Sequence, residues 1–102
     1  MITLTDANFT TETSGSIPIL VDFWAPWCAP CKALTPTLED MSRDYAGRVN
    51  FGKVNIDETS LAQSLGIMSV PTLLLYKNGQ VLGQLVGNSP KAKIQALLEK
   101  AL

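Results

Sequence analysis

The sequence predicts an α/β fold, a central mixed sheet of about five strands with helices on both faces. Three observations carry this expectation. Strand-like and helix-like patterns alternate along the 102 residues in the order βαβαβαββα. The stretch Ile17–Trp24 is apolar at both alternating sets of positions, as in a strand covered on both faces in the middle of a sheet. Asn78-Gly79 is a strong hairpin signal near the end of the chain. The earlier strand–helix–strand units predict parallel pairing with right-handed crossovers, whereas the hairpin requires antiparallel pairing, so the sheet is mixed.

Each element follows from local chemistry. Ile2 and Leu4 alternate with polar residues and mark a short strand. Thr5 or Asp6 caps a brief helix that turns Ala7 and Phe9 inward, and Gly15-Ser16 breaks it. In the next strand Ile19, Val21 and Phe23 share one face, and Leu20 and Trp24 the other, which Asp22 interrupts. Ala25-Pro26-Trp27 turns out of the strand. The period then becomes helical, with Leu34, Leu38, Met41 and Tyr45 forming one apolar stripe. Pro30 suits the first turn of that helix, Pro36 interrupts its bonding, and Gly47 ends it. Val49, Phe51, Val54 and Ile56 mark a strand with a slight irregularity at Gly52-Lys53. Thr59 or Ser60 opens a short helix carrying Leu61 and Leu65, closed by Gly66. Thr72–Tyr76 and Val81–Val86 are the hairpin strands. Ser89-Pro90 then caps a last helix that presents Ile94, Leu97, Leu98 and Ala101.

Composition narrows the function. The length predicts a single domain over residues 1–102. An apolar fraction of 46% supports a substantial core. Eight basic against nine acidic residues, with no charge block, predict neither a nucleic-acid nor a membrane-surface partner. The apolar runs are too short to span a bilayer. The start carries neither a basic region nor an apolar one of the signal-peptide kind, and the initiating Met1 points to a cytoplasmic location. Monomer is the default expectation.

Both cysteines lie in Trp27-Cys28-Ala29-Pro30-Cys31-Lys32, where the strand pattern gives way to the helix. Two thiols at this spacing can close a small disulfide ring and reopen it, which suits electron-pair exchange with other disulfides. Cys28 stands just before the helix, where free amide hydrogens and the helix dipole favour an anion, so it is the expected nucleophile. Cys31 lies about one turn further in, more buried, as the resolving thiol. Zinc is the rival use of a cysteine pair, but it wants four ligands. One chain with no histidine and no second cysteine pair does not complete such a site, which leaves a site shared between two chains. Asp22 is the other informative residue: a carboxylate in an apolar central strand is costly unless paired or neutralised, and burial raises its pKa. A partly exposed strand carboxylate is the plainer alternative.

The run Val21-Asp22-Phe23-Trp24-Ala25-Pro26-Trp27-Cys28-Ala29-Pro30-Cys31-Lys32 resembles the active-site signature of the thioredoxin family. Val70-Pro71-Thr72, Lys77-Asn78-Gly79 and Val86-Gly87 match further landmarks of that family in the same order. The likeness covers essentially the whole chain and implies the three-layer thioredoxin-like fold. One departure is Ala29-Pro30 between the cysteines, where the family usually has Gly-Pro.

The resemblance implies a protein-disulfide reductase that works by dithiol–disulfide exchange and is itself reduced by a thioredoxin reductase-like donor. Its partners are disulfide-containing proteins, and it carries no cofactor beyond its own disulfide and no metal. The resemblance further implies that Asp22 accepts the proton of Cys31, through water, with Lys53 modulating its acidity. Trp27, Ala29, Pro30, Val70, Pro71 and Gly87 then form a flat apolar docking surface, rimmed by the polar Asn88. By base rate the Val70–Pro71 bond is trans; the resemblance implies cis, with the backbone of Val70 open to an extended substrate segment. Two alternatives remain: a disulfide-forming oxidant or isomerase of the same fold, and a non-catalytic docking subunit.

Overall fold

A computed structural model describes residues 1–102. In chain order the elements are β1 (Ile2–Thr3), α1 (Phe9–Thr13), β2 (Ile19–Trp24), α2 (Ala29–Asp44), β3 (Asn50–Asn55), α3 (Leu61–Ser64), β4 (Thr72–Lys77), β5 (Gln80–Val86) and α4 (Lys91–Glu99). They build one five-stranded sheet in the order β1-β3-β2-β4-β5. β1, β3 and β2 run parallel, and β4 is antiparallel to both β2 and β5. The mixed sheet and the element order agree with the expectation from sequence.

Alternation along β2 assigns its side chains to two cores. Leu20 joins a cluster built with Leu34, Leu38 and Met41 of α2 and Ile94, Leu97 and Leu98 of α4. Ile19, Val21 and Phe23 join the opposite cluster with Phe9 of α1 and Ala62 of α3. The sheet is thus covered by helices on both sides, three layers in all. With both faces covered, the carboxyl end of β2 is the natural place for a side chain to emerge between layers.

Several local expectations are corrected. The first helix begins only at Phe9, and Ala7 is exposed. Asp6 does not cap it; Thr5 caps the turn that leads into it, its hydroxyl accepting from the Ala7 amide at 3.2 Å and its carbonyl from the Phe9 amide at 3.1 Å, while Asn8 Oδ1 accepts from the Thr5 amide at 2.8 Å. Asp6 serves α3, its carboxylate accepting from the amide of Ser60 at 3.2 Å and the hydroxyl at 3.1 Å. Leu65 follows α3 and is exposed rather than packed. Ser89 makes no cap bond, and Pro90 occupies the cap position of α4. Ile17 is exposed, and β2 starts at Ile19.

The expected irregularity at Gly52-Lys53 is absent: both residues pair in unbroken register with β1 and β2. Gly52 sits where a side chain belongs, and a Cβ there would lie 2.7 Å from Leu4 Cδ1 and 3.2 Å from Ile19 Cδ1. Leu4 and Ile19 fill the space, so the face is continuous although the sequence pattern skips a beat. The one register shift lies elsewhere, in β4–β5 between Leu75 and Tyr76, whose partners are Gly83 and Val81.

Candidate active site

Cys28 occupies the N-cap of α2 in extended conformation, and Ala29 and Pro30 supply the first helical positions. Its sulfur is bonded to that of Cys31, with the Cα atoms 5.3 Å apart. The amide of Cys31 donates to Cys28 Sγ at 3.2 Å. The same amide and the dipole of α2 favour negative charge on that sulfur once the disulfide opens. Cys28 keeps 5% of its surface accessible and Cys31 none. The sequence therefore delivers two chemically identical side chains into unequal places.

On the outer side the surroundings are apolar. Trp27 is 65% exposed, and its indole N–H donates to the carboxylate of Asp57 at 3.0 and 3.3 Å. Ala29 and Pro30 are exposed beside it. The Val70–Pro71 bond is cis, and the carbonyl of Val70 lies 3.8 Å from Cys28 Sγ. Neither the amide nor the carbonyl of Val70 makes a backbone hydrogen bond within the chain. The carbonyl of Pro71 accepts from the amide of Gly87 at 2.8 Å, and Gly87 has φ of 88°, which favours glycine. Trp27, Ile56, Ala62, Ile67, Met68 and Val70 line a groove of about 270 Å³. Met68 is 97% exposed, an isolated apolar side chain held out from the surface. The sequence reading missed Asp57, Ile56 and Met68 as site residues: Ile56 reads as the end of a strand, and Asp57 and Met68 lie in segments whose polarity has no period, though an unpatterned methionine two residues before Val70 was a usable signal.

Toward the sheet the cysteines pack against Ala25 and Trp24, and Trp24 in turn borders a polar group around Asp22. Asp22 is 3% exposed and pairs across the sheet with Lys53 on one side and Leu73 on the other. Burial pushes its pKa up to about 7, partly offset by the charge of Lys53. Asp22 Oδ1 and Trp24 Nε1 are the buried side-chain polar atoms without a partner in the chain. Both residues line one cavity of about 220 Å³, together with Met1, Thr35, Glu39 and Lys53. That volume and those unpaired groups suit water. Lys53 Nζ also stands 5.9 Å from the centre of the Trp24 ring. Trp24, expected in the core, is half-buried and borders this cavity. Thr35 and Glu39 gave no signal in the sequence, because polar residues on a helix flank read as solvated.

Around this centre no group of three or more His, Cys, Asp or Glu side chains is placed to hold a metal ion. No helix is long and apolar enough to cross a membrane.

The comparisons with known proteins agree with this geometry. The family model described as Thioredoxin matches residues 1–100. A thioredoxin of Alicyclobacillus acidocaldarius is 46% identical over 102 residues, covering 99% of this chain and 97% of the relative. A Staphylococcus aureus thioredoxin is 40% identical over 103 residues, covering 100% and 98%. Among solved structures, Malassezia sympodialis thioredoxin superposes with a TM-score of 0.88 at 37% identity, covering 98% of this chain and 92% of that one. With a bonded cysteine pair at the start of α2 and this likeness along its length, the chain belongs to the thioredoxin family, the thiol–disulfide oxidoreductases that reduce protein disulfides by dithiol–disulfide exchange.

Proposed function

We propose that this chain, a single domain over residues 1–102, is a general protein-disulfide reductase of the cytoplasm in which Cys28 attacks and Cys31 resolves. The observation that carries the division of labour is the unequal setting of the two sulfurs: Cys28 at the N-cap with an amide aimed at it and some surface open, Cys31 fully enclosed. The Cys28 thiolate attacks a substrate disulfide, forming a mixed disulfide and expelling one substrate thiolate. Cys31 then gives its proton to Asp22 through water in the inner cavity. Its sulfur attacks Cys28, closes the Cys28–Cys31 bond, and releases the second substrate thiolate. A carboxyl tuned to about pH 7 is matched to that transfer at neutral pH, and Lys53 keeps it from rising further.

Substrate docks on Trp27, Ala29, Pro30, Val70, Pro71 and Gly87. The unpaired backbone groups of Val70 accept an extended segment as a short added strand, which brings its disulfide to Cys28 Sγ. A separate thioredoxin reductase-like protein restores the dithiol over the same surface, giving the chain its place in electron transport and redox homeostasis. The chain works as a monomer, with no metal and no cofactor beyond its disulfide.

The test is reduction of insulin disulfides by dithiothreitol with and without the protein, next to a Cys31→Ser variant. Acceleration by the native chain and covalent trapping by the variant are expected. No acceleration, or a variant that releases substrate freely, contradicts the reading. A reduction potential in the range of disulfide-forming oxidants would reassign the protein to oxidation.

A further inference from the structure

Helix α2 carries a polar line beside its apolar stripe. Cys31, Thr35 and Glu39 are four residues apart and stack down one face, one position round from the buried Leu34 and Leu38. The hydroxyl of Thr35 donates to the carbonyl of Cys31 at 3.1 Å. Thr35 and Glu39 both line the cavity that holds Asp22. Around that cavity Asp22 is buried, Trp24, Thr35 and Lys53 are half-buried, and Glu39 and Met1 are exposed, so it opens to solvent at the Glu39–Met1 end. The titratable and charged groups facing Asp22 are Lys53 from β3, Glu39 from α2 and the amino group of Met1; β4 presents the apolar Leu73.

From this arrangement we infer that Glu39 is the outlet through which Asp22 exchanges its proton with solvent. The inference rests on the reading of Asp22 as the acceptor of the Cys31 proton. The sequence of transfers balances. Cys31 S–H and the Asp22 carboxylate become Cys31 thiolate and Asp22 carboxylic acid. Asp22 then passes that proton along cavity water to the Glu39 carboxylate, and Glu39 releases it to buffer, so that both carboxylates end as they began. The outlet matters most near and below neutral pH, where part of the Asp22 population already holds a proton and must discharge it before Cys31 can resolve. Glu39 touches no reacting sulfur and acts through Asp22. Of the residues lining the cavity, it alone combines exposure with a carboxylate, which can take a proton from inside and lose it outside. The charge of Lys53 acts on Asp22 by lowering its pKa, and an ammonium group has no lone pair with which to take a proton.

The test measures proton exchange directly, apart from turnover. In the oxidised protein with ¹³C-labelled aspartate carboxyl groups, NMR relaxation near the Asp22 midpoint reports the rate at which that group gains and loses its proton. In dilute buffer Glu39→Gln is expected to slow this rate roughly tenfold, less than the full contribution of a positioned proton-transfer group because water still reaches the mouth. Glu39→Asp restores most of the rate, and so does millimolar imidazole, a small diffusible proton carrier. Glu39 is exposed, so the variants are expected to fold. An unchanged exchange rate in Glu39→Gln, a shift of midpoint alone, or a slowed rate that imidazole leaves slow each overturns the outlet. Asp22→Asn separates the two readings. If that variant resolves mixed disulfides at the native rate, the acceptor role of Asp22 fails. If it resolves slowly while Glu39→Gln exchanges normally, only the outlet fails.

Discussion

The two sides of the Cys28–Cys31 bond reverse the usual partition of a folded protein. Outside it, Trp27, Met68 and Val70 expose apolar surface around a groove. Inside it, Asp22, Thr35 and Lys53 line a cavity that opens to solvent at the Glu39–Met1 end. Exposed apolar patches and buried carboxylates each cost stability, so a fold keeps them where they serve something else. Under the function proposed above, the two halves of the exchange have separate machinery. On that proposal the outer side recognises a partner and favours a thiolate, and the inner side handles the proton of the second thiol.

The contrast is broken most completely at Cys31. Cys31→Ser is expected to abolish release almost entirely while leaving attack intact, so that mass spectrometry finds one substrate adduct on Cys28. Release at the native rate would mean that the inner sulfur has no resolving role.

Asp22→Asn comes next. Resolution is expected to slow by roughly ten- to a hundredfold at pH 8, read by rapid mixing. Stability moves the other way. The folded-state pKa of Asp22 is about 7 against an ordinary 3.8, so the folded chain binds the proton more tightly than the unfolded one. Native stability therefore falls as pH rises from near 4 to near 7 and levels off above. The loss is at most about 4 kcal/mol for a shift of this size. The asparagine variant lacks this loss: it is expected to exceed the native chain in denaturant midpoint at pH 8 and to match it near pH 4. A native curve flat across that interval would contradict the burial argument.

A smaller effect tests the outer side alone. Met68→Ser is expected to raise the apparent KM for a protein disulfide about fivefold, equivalent to roughly 1 kcal/mol of apolar contact, with kcat little changed. Because Met68 is almost wholly exposed, its stability is expected to shift by under about 0.5 kcal/mol. A KM equal to the native value would remove Met68 from the docking surface. The smallest effect is at Thr35→Val, which keeps the shape and removes a hydroxyl from the cavity. It is expected to raise the Asp22 midpoint by about half a pH unit, read by carboxyl NMR. A lowered midpoint would show that Thr35 does not help solvate the carboxylate.

The strongly periodic parts of the fold were legible in the sequence. Two-sided β2, the stripe from Leu34 to Tyr45 and the Asn78-Gly79 turn led to the mixed sheet because each commits a whole element to a face. Asp22 was legible because it interrupts an otherwise apolar strand. Failures came where tertiary neighbours decide. Asp6 looks like a cap for the helix next to it and instead bonds Ser60, 54 residues away. Gly52 looks like a break and is a filled position, because Leu4 and Ile19 occupy the space of its missing side chain. The bulge in β5 leaves no mark, since Val81 and Leu82 are both good strand residues. Within the site, Asp57, Thr35 and Glu39 acquire meaning only through what the fold brings to them.

The most direct test of the central claim is the ionisation of the two thiols in the reduced protein. Alkylation by iodoacetamide as a function of pH, with each site quantified by mass spectrometry, reads it for both sulfurs at once. Cys28 is expected to react first, faster throughout, and to titrate at the lower pH, with Cys31 protected until much higher pH. Faster alkylation of Cys31 at a lower pH than Cys28 would contradict the account.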